Sequence, residues 1–311
     1  MIETEQRLYA RALEAFRLKF MPAHRGVIFN REQIYQFFGI KATTENTTYK
    51  RAIGDVLYNL SKVNKEPELE QISKSSYRII DDKIREIPWW DAKAGDKLNI
   101  RYPYGVEDAT EFGFEESIIL YPGDMICLAG EGNRGKTAFA LNFLFNNMNK
   151  FKESILFTSE FNPPKFRDRI SHFTWVNLMD ENGKPKFKVA KQEENFQDVI
   201  IPDALNIIDW INLTDEPWKI SDIMDKIQNK LGNGLALVVL QKRSYKTYAV
   251  GGEASKDYAS AYFTISYDKE QQSNILFVEK VKTPGEKNPN FKKFSFKIVN
   301  QGSMFHDIRE E

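Results

Sequence analysis

The 311-residue sequence holds one cysteine, Cys127, and three widely separated histidines, His24, His172 and His306. One thiol cannot form an intrachain disulfide, and a lone cysteine inside an apolar run reads as a small core residue, which fits a reducing compartment. Three unclustered histidines without a cysteine pair give no zinc-binding pattern, and no Ser-His-Asp arrangement can be argued from them. Long apolar runs are also missing. No stretch approaches membrane-spanning length, and the opening MIETEQRLYARALEAF has acidic residues where a signal peptide has an apolar core. A soluble, cytoplasmic protein with no membrane partner is expected. Net charge is lacking too: Lys+Arg and Asp+Glu are both 44, so overall charge selects no partner. The sign is uneven along the chain. Residues 1–80 carry 13 basic and 9 acidic residues, a net of +4 that permits nucleic-acid contact without requiring it.

What the sequence does have is concentrated in residues 121–145, YPGDMICLAGEGNRGKTAFALNFLF. The run Gly130-Glu131-Gly132-Asn133-Arg134-Gly135-Lys136-Thr137 satisfies the phosphate-binding pattern G-x-x-x-x-G-K-[ST]. Met125–Ala129 before it reads as a buried parallel strand, and Ala138–Phe145 after it as an apolar helix. A strand that feeds a glycine turn and opens a helix points backbone N–H groups and the positive helix end at one spot. Nucleotide phosphates suit that spot, with Gly130 to Ala138 as the cradle. Lys136 is placed to reach the β and γ phosphates, and the Thr137 hydroxyl to meet Mg²⁺. ATP and Mg²⁺ are the expected ligands.

On either side of this stretch the chain reads as two domains joined by a connector: 1–80, 81–114 and 115–311. In the first, helical spacing covers 4–20, a helix over about 31–38 follows Asn30 as N-cap, and a third spans about 49–59. Two short alternating runs, 69–73 and 76–80, then form a hairpin. Three helices followed by a hairpin describe a winged helix with its third helix in the recognition position. Tyr49, Lys50, Arg51 and Lys74 then face a nucleic-acid backbone, although such units also serve as protein docking modules. In the connector, Trp89 and Trp90 need a surface: the following domain is the first expectation and a neighbouring protomer the second.

Apolar strands alternate with helices in the larger domain. Strands are expected at 118–121, 154–160, 205–210, 235–241, 262–267 and 274–279, with a polar surface excursion over 180–200 and a closing hairpin around 291–300. This pattern implies an α/β fold with a doubly wound parallel sheet whose ligands lie at the carboxyl ends of the strands. Glu160, Asp209 and Gln241 end three of those strands. Hydrolysis of a γ-phosphate needs an acid for Mg²⁺, a group that polarises water and a sensor of the γ-phosphate. Asp209, Glu160 and Gln241 fill those roles in that order.

The succession of P-loop, strand-end Glu, strand-end Asp and strand-end Gln resembles the RecA-like ATPases, and the wording resembles the DnaB-type replicative helicase branch. The similar segments are GDMICLAGEGNRGKTAFALNF, FTSEFNPPKFRDRI with Arg169 at the matching arginine, NIIDW, VVLQK and Glu279-Lys280-Val281-Lys282. They cover about residues 115–300. The layout is similar to compact phage-type or mobile-element ATPases of the group. The resemblance implies a homo-oligomer, a hexameric ring or filament, with ATP between protomers. It makes Lys280 and Lys282 catalytic in the neighbouring subunit's nucleotide site. It also makes Lys242, Arg243 and Lys246, interleaved with tyrosines, a site for single-stranded DNA. Replication or recombination proteins are the implied further partners. Two other functions share these features: a KaiC-like regulatory ATPase acting on a protein, and a nucleotide-gated DNA-binding adaptor.

Overall fold

The computed structural model describes residues 5–41, 47–81, 86–87, 89–91, 96–211, 219–242, 249 and 251–311. They divide into two compact units, Met1–Trp89 and Trp90–Glu311.

In the first unit, α1 (Glu5–Ala15) runs through a π turn at Phe16–Phe20 into the short α2 (Met21–Ala23). Ala12, Phe16 and Phe20 form its buried stripe, and Phe20 meets Phe29 edge-on at 4.9 Å. The chain then forms β1 (Ile28–Asn30) and enters α3 (Arg31–Phe37). Asn30 caps α3 reciprocally: Gln33 N–H donates to Asn30 Oδ1 at 3.0 Å, and Asn30 N–H donates to Gln33 Oε1 at 2.8 Å. The third helix, α4 (Thr47–Tyr58), extends through a π turn at Asn59–Val63 and buries Ala52, Ile53, Val56 and Leu57. The strands β2 (Leu69–Gln71) and β3 (Ser76–Ile79) pair as an antiparallel hairpin. An unexpected strand, β1, pairs with β3 to complete a sheet of order β1-β3-β2. At three residues β1 is too short to carry an alternation.

The expected connector, 81–114, is not uniform. Trp89 and Trp90, at the boundary of the two units, are 76% and 59% exposed. Residues from 98 onward belong to the second unit's core, where Tyr102 packs edge-to-face with Phe114 and Phe143. After α5 (Phe114–Ser117) no strand forms at 118–121. Ile118 makes a single bridge to Pro284, and Ile119 N–H reaches the Thr283 carbonyl at 3.0 Å, too few pairings for a ladder.

Then comes the expected rhythm. In chain order these are β4 (Met125–Gly130), α6 (Lys136–Asn147), β5 (Ser154–Thr158), α7 (Pro163–Ser171), β6 (Lys188–Lys191), α8 (Phe196–Val199), β7 (Leu205–Ile211), α9 (Ile220–Lys230), β8 (Leu235–Gln241), β9 (Ala261–Asp268) and β10 (Ser273–Val281). The hairpin β11 (Lys293–Val299) and β12 (Met304–Glu310) closes the chain. That hairpin lies further along than the expected 291–300. The region read as a surface excursion contributes β6, parallel to β5 at the sheet edge, and α8. With burial pattern exposed-exposed-intermediate-exposed, β6 has no apolar face for a sequence reading to detect.

Nine strands lie in the order β12-β11-β10-β9-β4-β8-β7-β5-β6. From β9 to β6 the sheet is parallel, as expected, and β10, β11 and β12 extend it antiparallel. All six residues of β4 are buried, because helices cover both faces. On one face α6 buries Phe139, Phe143 and Leu144 against Leu128, Ile207 and Phe263; on the other α9 buries Met224 and Ile227 against Cys127 and Val238. Cys127 is fully buried, and the desolvation pushes its thiol well above the usual range.

Candidate functional site

Strand order turns a linear succession into a spatial one. Because β8 and β7 insert between β4 and β5, one sheet edge presents the P-loop, Gln241, Asp209 and Glu160 side by side. They line a cavity of about 390 Å³.

The loop itself is shaped by two close approaches. A Cβ on Gly130 would stand 2.8 Å from the Ile265 carbonyl oxygen, and a Cβ on Gly135 would stand 2.1 Å from Ile298 Cδ1. Gly135 also holds φ +88° at the N-cap of α6, a left-handed conformation that favours glycine. Its neighbour Lys136 is 8% exposed and donates to the Glu131 carbonyl at 2.6 Å and to Gln241 Oε1 at 3.3 Å. Burial pushes this ammonium below its usual range, and Asp209, Glu160 and Glu131 oppose the shift. Gln241 is thus in direct contact with the P-loop lysine. Arg134 lies over the Tyr267 ring at 5.0 Å and 3.7 Å from Glu131.

Asp209 sits inside β7 rather than at its end, where the pairing to β8 shifts register between Ile208 and Ile211. It is 1% exposed. Burial raises its pKa to about 6, against the hydrogen bond from Thr137 and the nearby charges of Lys136 and Arg169. Its Oδ2 is a buried acceptor with no partner among the described residues. A hard divalent cation satisfies such an oxygen, so the pair Thr137 and Asp209 fits Mg²⁺.

Glu160 lies two residues beyond the end of β5 and is exposed at the cavity wall. Trp210 Nε1 donates to its Oε1 at 3.1 Å. Arg169 on α7 reaches the same cavity, its guanidinium pushed below the usual range by burial despite Asp209 and Glu160 nearby. Sequence reasoning missed Trp210, Phe161 and Lys165 as cavity residues. An indole directly after the strand acid was the one available signal. It also missed Ile298, which approaches the loop from β11. The turn that follows is fastened beside α6 and α7, with Asn142 Nδ2 donating to the Gly302 carbonyl at 3.2 Å and Trp175 Nε1 to the Ser303 carbonyl at 2.9 Å.

The remaining expected residues lie elsewhere. Because β10 runs antiparallel to β9, its end with Lys280 and Lys282 is at the opposite sheet edge, where Val281 pairs with Ala261 and Ala261 with Ile126. Lys280 Nζ donates to the carbonyls of Lys256 at 2.6 Å and Asp257 at 3.4 Å. Neither lysine joins the P-loop cavity of its own protomer. Lys242 bonds through its backbone N–H to the Gly130 carbonyl at 2.9 Å, beside the P-loop. Arg243 and Lys246 lie outside the described residues. In the first unit Lys50 sits 4.8 Å over the Tyr35 ring, and Arg51 stands 3.8 Å from Glu5, with both side chains largely exposed. No cluster of three or more metal-binding side chains occurs among the described residues, and no described helix is long and apolar enough to cross a membrane.

No family model matches the chain, and no curated protein matches it. Among solved structures, a KaiC-like protein from the hyperthermophilic archaeon Pyrococcus horikoshii OT3 aligns with 68% of this chain and 99% of its own, at TM-score 0.50 and 17% identity. The likeness is one of fold: an α/β RecA-like NTPase core with a large, mostly parallel sheet.

Proposed function

We propose that the chain is an ATP hydrolase of the RecA type that works as an assembly on single-stranded DNA. The observation that carries the hydrolase reading is the buried Asp209 carboxylate, close to the Thr137 hydroxyl and with Oδ2 unpartnered among the described residues, set near Lys136 in a P-loop cavity. Thr137 and Asp209 are the residues to hold Mg²⁺, which when bound neutralises charge on the phosphates. Lys136 leaves its contacts with Glu131 and Gln241 to meet phosphate oxygens, and Gln241 thereby registers the γ-phosphate. Glu160 receives the proton of the attacking water. Arg169 adds positive charge from within the same protomer.

Support for assembly comes from Lys280 and Lys282, which face away from their own nucleotide and can serve one only in another protomer. Support for DNA comes from the sequence Lys242-Arg243-Ser244-Tyr245-Lys246-Thr247-Tyr248, which starts beside the P-loop and joins phosphate-binding cations to stacking aromatics. The three helices and small sheet of the first unit suit a winged helix, the second DNA contact in this reading.

ATP turnover with and without single-stranded DNA, over a range of protein concentrations, tests it. DNA stimulation with a steep concentration dependence is expected. Turnover indifferent to DNA transfers the site to a regulatory ATPase with a protein partner. Bound nucleotide without turnover leaves a nucleotide-gated adaptor.

A further inference from the structure

The residue after the buried acid does a second job in the cavity. Trp210 projects from β7 with its ring packed, partly buried, against the core beneath α6, while its Nε1–H donates to Glu160 Oε1 at 3.1 Å. Glu160 belongs to an irregular segment two residues past β5, and the Lys165 ammonium bonds to its backbone carbonyl at 3.3 Å, not to its carboxylate. The Trp210 bond is therefore the one hydrogen bond that reaches the Glu160 carboxylate among the described residues, and Oε2 accepts none. An exposed glutamate on a loop otherwise samples several rotamers, most of them pointing its carboxylate away from a bound phosphate.

We propose that Trp210 is a positioning residue for hydrolysis: its indole N–H fixes one oxygen of Glu160 so that the other faces the attacking water. The inference rests on the reading of Glu160 as the general base. In the step it serves, a water lone pair forms the bond to the γ-phosphorus. The bond from that phosphorus to the bridging oxygen breaks, and its electron pair leaves with ADP. The water's proton passes to Glu160 Oε2. Trp210 touches neither the phosphate nor the water. Its share is rotamer restriction, which changes the rate of the chemical step and leaves nucleotide affinity alone.

Five proteins decide the matter: wild type, Trp210→Phe, Glu160→Gln, the double variant of these two, and Trp210→His as rescue. Single-turnover ATP hydrolysis with the full chain in excess, together with the Kd of a fluorescent ADP analogue, supplies the readouts. Trp210→Phe keeps the packed ring and loses the donor; kcat is expected to fall about tenfold at unchanged Kd, the loss of one hydrogen bond to a charged group. In the Glu160→Gln background the same change is expected to cost nothing further, because there is no base left to orient. Trp210→His, which restores a ring N–H, recovers part of the loss. Wild-type turnover in Trp210→Phe overturns the proposal. So does an equal loss in the Glu160→Gln background, which marks a packing role. Wild-type turnover in Glu160→Gln removes the reading of Glu160 as base and the proposal with it, a result distinct from either of the others.

Discussion

Asp209 sets a cost that the folded protein carries, and the cost has a calculable pH signature. Burial pushes this carboxyl up to about 6 in the folded chain, from an ordinary value of 3.8. Between those two values the folded state binds more protons than the unfolded state, so stability from this group falls as pH rises, and the full penalty applies above pH 6. The integrated difference between pH 4.5 and pH 7.5 is about 2 kcal/mol. Asp209→Asn removes the titration. Its amide oxygen can still accept from Thr137, while its NH₂ takes the place of the unpartnered Oδ2 and adds a pH-independent cost of about 1–3 kcal/mol. Comparing variant with wild type at two pH values cancels that constant along with every other titrating group. Urea unfolding of the second unit's transition, in EDTA, should therefore show Asp209→Asn gaining about 2 kcal/mol on wild type between pH 4.5 and pH 7.5. A difference that stays flat with pH refutes the buried, unpaired carboxylate. Added Mg²⁺ and ADP should then stabilise wild type more than the variant at pH 7.5, since the cation favours the ionised acid.

Other substitutions probe the supports of the site. Gly135→Ala meets Ile298 Cδ1 and a φ of +88°, so it should cost about 1–3 kcal/mol and weaken nucleotide binding, measured by thermal unfolding and ADP-analogue titration. An unchanged melting temperature contradicts the close approach. Asn30→Ala removes the reciprocal cap of α3 and should destabilise the first unit by about 1 kcal/mol while ATP turnover is kept. Lys280→Ala frees the carbonyls of Lys256 and Asp257 and should lower thermal stability as well as turnover, whereas Lys282→Ala should lower turnover only where turnover depends on protein concentration. Identical behaviour of the two variants argues against separate roles.

Much of the candidate site was legible because its residues lie in short, locally patterned stretches. The glycines, Lys136 and Thr137 occupy eight consecutive residues, and the apolar runs ahead of Asp209 and Gln241 mark buried strands at sequence level. The spatial arrangement was not legible, because it depends on which strands pair. Nothing in the runs 154–158, 205–211 and 235–241 says that the last two insert between β4 and the first, yet that order places Gln241 against Lys136. Lys280 goes to the far edge because β10 turns back antiparallel on β9, itself parallel to β4. Short or two-sided-polar elements escaped for a different reason: β1 and β6 are held by neighbours and have no periodicity of their own. Trp210 was hidden by context, since an aromatic after a strand acid reads as core until Glu160 is placed beside it.

The most direct test of the account compares wild type and Glu160→Gln in two assays at once, ATP binding and phosphate release with Mg²⁺. Both proteins should bind ATP, wild type should release phosphate, and the variant should release at least a hundredfold less. Phosphate release by Glu160→Gln at the wild-type rate, or no ATP bound by either protein, contradicts a hydrolytic site built on this P-loop.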